Sequence, residues 1–283
     1  MNRLSGILLV SLAVLAGACS RSRPSPSDIH ATRAADVPIP STGPWSFAHS
    51  PGTRAYRISR MASVEGTADS AARREVVTNF THQTLTLDAT DGGLSFTAVI
   101  DTFAVTTQGA VGPAQTVELP IELAGTVIPA GIRIATPTKY PCSAARATAA
   151  TDLYNLLAPL PARLTRGMTW RDSITVSGCQ AGIPTTTITK RIFTVSGEVS
   201  HSGQPRLLLT RTDTAVYRGD GAYNQHRMLV EGRGAGSALY YLDTATGAVA
   251  HLITAQTSGM NVTTSGRLHT FTQNVNQEFV RVR

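Results

Sequence analysis

The chain has 283 residues, with 25 basic side chains, 18 acidic ones and a formal charge of +7, and 42% of it is hydrophobic. That hydrophobic share suffices for a packed core and excludes a disordered polyelectrolyte. The excess charge is almost all arginine, scattered with no run longer than Arg73-Arg74, so no concentrated basic stripe of the kind that binds nucleic acid is present and no nucleic-acid partner is expected.

In chain order, one charge at Arg3 precedes the apolar run GILLVSLAVLAGA (6–18). Its 13 residues fall short of the ~20 that a membrane-spanning helix needs. A basic start, a short apolar core and a small-residue end predict a signal peptide over residues 1–18. Ala16-Gly17-Ala18 fits an ordinary signal-peptidase site. Ala16-Gly17-Ala18-Cys19 also resembles the lipobox of bacterial lipoproteins, with Leu15 one place early. That resemblance implies a diacylglycerol on the Cys19 thiol. Because Ser20, not Asp, follows the cysteine, it also implies an outer-membrane address. The membrane would then be the chain's first partner. Stable anchoring takes more than one acyl chain, and the mature lipoprotein terminus carries two or three.

Residues 19–44 hold five prolines and no hydrophobic periodicity, and read as a Pro/Ser-rich tether. The remaining 45–283 read as one β-rich domain. Asp91-Gly92-Gly93, Asp243 to Gly247 and Ser265-Gly266 each separate two alternating apolar runs and predict hairpins. The glycine-rich GRGAGSA (232–238) is expected to form a bulge or loop, and Arg218-Gly219-Asp220 a turn. One segment differs. SAARATAATDLYNLLAPLP (143–161) lacks glycine and ends in prolines, which predicts a helix at about 143–158 with Ser143 as N-cap. It divides the strands into sets at 45–140 and 165–283. The expected fold is all-β and mainly antiparallel, a strongly curved sheet or half-barrel with one central helix. A closed barrel and two small sandwiches are the competing architectures.

This layout is similar to the bacterial lipoprotein carriers, whose half-barrel and helix enclose an apolar cavity. LLAPLPARLTRGMTWRDS (156–173) also resembles a group of secreted bacterial lipoproteins in its Gly167, Thr169 and Trp170. With Cys19 acylated, Cys142 and Cys179 remain, and an oxidising compartment favours their pairing over two free thiols.

Chemistry is sparse. No HxH, HExxH, GxSxG or Walker pattern occurs, and no metal or cofactor is expected. His82, His251 and His269 fall singly in predicted strands and read as surface or satisfied residues. The functional expectation is a cell-envelope lipoprotein. It would bind an apolar ligand or lipidated chain in a cavity lined by Leu94, Phe96, Ile100, Tyr240, Leu242 and Ile253. A structural or protein-interaction lipoprotein with those rows as ordinary core is the alternative, and an enzyme with an unrecognised site is the second.

Overall fold

The structure is a computed structural model. It describes residues 36–41, 43–68, 71–108, 117–128, 131–135, 143–180, 183–223 and 226–282. The signal peptide, Cys19, most of the predicted tether and Cys142 lie outside the described residues.

In chain order the elements are β1 (Val37–Pro38), β2 (Trp45–Ser46), β3 (Gly52–Ala68), β4 (Ala71–Thr90), β5 (Gly93–Gln108), β6 (Ile121–Ile128), β7 (Gly131–Ile134), α1 (Ala144–Leu156), β8 (Arg163–Leu164), β9 (Thr169–Gln180), β10 (Ile183–His201), β11 (Gln204–Tyr223), β12 (His226–Asp243), β13 (Ala248–Thr264) and β14 (Arg267–Arg281). Twelve strands form one antiparallel half-barrel in the order β1-β10-β11-β12-β13-β14-β3-β4-β5-β6-β7, with β9 also on β10. The chain's second half thus runs from β9 to β14, and β14 hands over to β3 of the first half. The all-β curved sheet, with one helix among the described residues, matches the expectation.

Hairpins set the register. Ser202 and Gly203 have φ of 50° and 74°, and Ser265 and Gly266 have 48° and 78°. Positive φ at both central residues is the turn geometry that matches strand twist. The Asp243–Gly247 turn is held by the Asp243 carboxylate, which accepts from the amides of Ala245 (3.1 Å) and Thr246 (3.3 Å).

Cross-strand partners share a face, so the register defines what points inward. One interior row runs Trp170, Phe193, Arg211, Ala238, Thr254, Gln277, Arg60, Asn79 across β9 to β4. On one side of this row the interior is apolar, with Tyr56, Ile58, Leu85, Phe96, Tyr240 and Phe279 each 1% exposed or less. On the other side it turns polar and small, with Thr185, Asp213 and Ser258 buried.

The outward rows mix exposed apolar side chains, among them Phe80, Ile188, Ile192, Val216 and Leu229, with charged ones. Arg57 and Glu65 on β3, His82 on β4, Lys190 on β10, Arg218 and Asp220 on β11 and Glu231 and Arg233 on β12 all face away from the interior. A membrane-spanning barrel needs an apolar outer band, and each Arg or Lys at its midplane costs ~2–4 kcal/mol. The charges on this half-barrel interrupt any continuous apolar band on its described convex face.

GRGAGSA forms neither bulge nor loop, and Arg218-Gly219-Asp220 forms no turn; both lie within paired strands. Gly232, Gly234 and Gly236 all point inward on β12. A Cβ on Gly232 would meet the Gly259 carbonyl oxygen at 2.6 Å and Met260 Cγ at 2.9 Å, and one on Gly234 would meet the Tyr217 hydroxyl at 3.1 Å. The missing side chains let β11 and β13 close over β12, which is how so large a sheet curls. We expect Gly232→Ala to lower stability by about 1–3 kcal/mol in urea unfolding, as overpacking against backbone does. Gly259→Ala, whose Cβ would meet nothing within 4 Å, should be neutral within about 0.5 kcal/mol.

Candidate functional site

The helix begins where the sequence predicts. Ser143 caps it, its hydroxyl accepting from the Arg146 amide at 3.3 Å. It packs on β9, β6 and β7, and so bridges the two ends of the curved sheet. Leu153, Leu156 and Leu157 seal the apolar half of the interior.

Its last turns meet three arginines from the sheet. Arg60 of β3 reaches Asp152 at 2.7 Å, and the same oxygen accepts from Gln277 at 2.6 Å. Arg191 of β10 pairs through two nitrogens with Asp172 of β9, its Nε at 2.7 Å, and donates from Nη1 to the Tyr154 carbonyl at 2.9 Å. Arg211 of β11 pairs with Asp213 at 2.7 Å and donates to Asn155 Oδ1 at 2.7 Å and Tyr240 Oη at 2.6 Å. The helix has no basic residue in its own last turn, so the sheet supplies the cations that its C-terminal carbonyls favour. Burial pushes the Asp152 carboxyl up, and Arg60 and Gln277 pull it partly back. Burial opposes the charge on Arg211, but Tyr240 and Asp213 outweigh it and its pKa rises. Three cations facing three carboxylates leave this layer formally neutral. It is a latch, with no excess charge for an ionic substrate.

The proposed lining residues divide. Phe96, Ile100, Tyr240 and Leu242 are each 1% exposed in the main core with the helix leucines, and Leu94 is half-buried on the same face. Ile253 points the other way. Its partner is Leu239, and it packs outside the sheet against a small cluster of Val199, Leu208, Leu239 and Tyr241. Alternation counted across the Asp243–Gly247 turn misplaces it, because a register shift between Tyr241 and Leu242 offsets the two strands by one residue.

That outer cluster carries a second constellation. Asp36 Oδ1 meets His201 Nδ1 at 2.8 Å, His201 Nε2 meets His251 Nδ1 at 2.8 Å, and His251 Nε2 meets Glu278 Oε1 at 2.8 Å. The Tyr241 hydroxyl donates to Asp36 Oδ2 at 2.7 Å, and its ring stacks on both imidazoles. The two histidines stand 50 positions apart in the chain, so no spacing motif could pair them. Asp36 falls within the predicted tether, yet β1 pairs with β10 and Ile39 N donates to Glu198 O at 2.9 Å. Ordered contact with the sheet therefore begins upstream of Trp45. A pocket of about 180 Å³ lies beside it, lined by Asp36, Pro38, Arg166, Glu198 and Leu208 among others. Among the described residues no three His, Cys, Asp or Glu side chains are placed to hold a metal.

Cys179 is disulfide-bonded, while Cys142 lies outside the described residues. No family model and no curated protein matches the chain. Among solved structures, it is similar to OccK2 (OpdF) of Pseudomonas aeruginosa at 6% identity and a TM-score of 0.28, covering 81% of this chain and 98% of that one. A BenF-like porin from Pseudomonas fluorescens Pf-5 gives 8% and 0.28, over 83% and 100%. OpdL of Pseudomonas aeruginosa gives 7% and 0.26, over 82% and 99%. TM-scores this low transfer neither fold nor function.

In the polar half of the interior, burial pushes the Glu75 carboxyl of β4 from 4.5 up to about 7. Between these values the folded chain holds a proton that the unfolded chain has lost, so stability falls as pH rises. Urea unfolding should show this decline from pH 4.5 to about 7, and Glu75→Gln should flatten it.

Proposed function

We propose that this chain is a lipid-anchored protein of the bacterial cell envelope, acylated at Cys19 and held at the outer membrane. It works through its folded surface as a structural or protein-interaction component and does not carry a lipid. The anchor rests on the apolar run that ends at Ala16-Gly17-Ala18-Cys19. The choice between carrier and interaction protein rests on one observation. Its own helix occupies the apolar half of the concavity, so Phe96, Ile100, Tyr240 and Leu242 serve as core. A carrier needs that lining free, and most apolar strand faces are simply core.

Cys19→Ala should move the protein from the membrane to the soluble fraction, whereas unchanged membrane association would remove the anchor. An environment-sensitive fluorescent fatty acid should show no saturable binding to the folded protein. Saturable binding that is lost on Phe96→Arg, with the fold retained, would restore the carrier reading.

The same reading places the chain in an oxidising compartment, where Cys142 is the partner available to Cys179 once Cys19 carries lipid. The loop they close is long, worth ~4 kcal/mol in the chain-entropy model. Thiol labelling of the denatured, unreduced protein should find neither cysteine free, and reduction should lower the urea midpoint.

A further inference from the structure

We propose that His201 and His251 share a single proton, and that this proton holds the N-terminal segment Asp36–Ser41 on the convex face of the sheet. The argument is a count of hydrogens. An ionised carboxylate only accepts, so His201 Nδ1 must donate to Asp36 and His251 Nε2 to Glu278. Each imidazole then uses the one N–H that its neutral form has. The two remaining nitrogens, His201 Nε2 and His251 Nδ1, would face each other lone pair to lone pair at 2.8 Å. That distance is a hydrogen bond only if a third proton lies between them. The ring centroids stand 5.0 Å apart, close to this contact plus the two ring radii, so the nitrogens meet nearly head-on. The gap fits a proton and leaves no room for a metal ion between them.

Burial, the largest influence on His251, pushes its pKa down, and the neighbouring charge of His201 adds to this against the pull of Glu278 and Asp36. His251 thus holds a proton less readily than a free imidazole, which suits its Nδ1 to accept in the His–His contact while its Nε2 donates to Glu278. Whichever ring holds the shared proton, His201 donates from Nδ1 to Asp36, whose side chain is 5% exposed. Tyr241 of β12 completes the grip on Asp36 through its hydroxyl. The other charged groups around the cluster are Glu198 of β10 and Arg166 before β9, which share the pocket with Asp36. Arg206 of β11 is turned to Asp243 at 3.6 Å, and Arg57 of β3 stands opposite Val280, the next outward position after Glu278. None of them bonds either imidazole in the described structure.

The attachment binds one proton and so has two limits. As pH rises past the titration of the pair, the third proton leaves and the lone pairs oppose each other. As pH falls, a second proton sets two imidazolium rings face to face and the carboxylates begin to protonate. Attachment is strongest while the pair holds just one extra proton, a condition met within the range of about pH 5 to about pH 8 where histidine changes charge. This device depends on neither the lipid nor any partner, so it stands or falls separately from the proposed function.

The test is amide hydrogen exchange of Ile39, which bonds Glu198 O, in the full chain solubilised in detergent, expressed as a protection factor across that range. Wild type should show a maximum within that range and lose about tenfold or more by about pH 9, the loss expected for one charge-assisted hydrogen bond. His201→Phe keeps a ring on Tyr241 but has no nitrogen. It should give low protection with no maximum. Asp36→Asn lies on the segment itself, leaves the sheet intact, and should do the same. A wild-type protection factor flat within about twofold over the range, or the same maximum in either variant, overturns the proposal.

Discussion

The fold depends on how the end of α1 is held inside the sheet. Asp152 is fully buried, and Arg60 lies against it at 2.7 Å. Arg191 and Arg211, both buried, close on the next residues, Tyr154 and Asn155. Breaking a buried pair by removing one partner costs ~3–5 kcal/mol, because the survivor is left charged and dry. Yet a buried ion pair adds little over well-packed apolar groups. The layer is therefore better read as fixing position than as adding stability. It sets the depth and rotation of a helix that has leucines to bury and sits between the two ends of the sheet. Without that registry a smooth apolar helix could slide along the groove.

The position of this layer follows from strand pairing. Arg60 and Arg211 lie in the same interior row, four strands apart in the sheet between β11 and β3. Arg191 stands in the next row, opposite Asp213. They converge only because the sheet curls, and the inward glycines of β12 are what allow the curl. A side chain on Gly236 would occupy the space of Asp213, the carboxylate that orients Arg211. Curvature, latch and helix thus form one linked requirement. The convex face shows the complementary result. Leu239, Tyr241 and Ile253 are apolar on the outward side of strands whose inner side is already core, and the N-terminal segment lies beside them.

Local signals in the sequence carried the hairpins, the helix with its Ser143 cap and the all-β class. Each of these depends on residues near one another in the chain. What escaped sequence reading depends on long-range register. Gly232, Gly234 and Gly236 look like a loop until β11 and β13 are seen on either side. Ile253 looks like a partner of Tyr240 until the one-residue shift after Tyr241 is known. The histidine chain needs β10, β13 and β14 to coil together, and its fourth member, Asp36, lies in a proline-rich stretch with no periodicity. The arginines are scattered in sequence with no basic stripe, whereas Arg54, Arg60, Arg191 and Arg211 face the interior. The carboxylate partners of the last three are equally dispersed, and only the fold shows which charges are matched.

The latch also bears on what the interior can admit. An apolar ligand entering the concavity would have to displace α1 from the leucine-lined half. Area for area it could replace Leu153, Leu156 and Leu157, each worth ~1.5–3 kcal/mol when buried. An acyl chain offers nothing to the Arg191 Nη1 that bonds Tyr154 O, or to the Arg211 Nη1 that bonds Asn155. It would also strand Arg60 without Asp152. Each arginine left dry and short of a partner costs ~1–3 kcal/mol or more, and a bare charge ~3–5. The apolar exchange is close to even, so the polar side decides it, and it decides for the helix. The same reasoning says what could open the site. A ligand would need its own acceptors, spaced to meet three guanidinium groups, in addition to apolar bulk. A simple fatty chain has none, and this physical asymmetry is why the helix rather than an acyl chain suits the concavity.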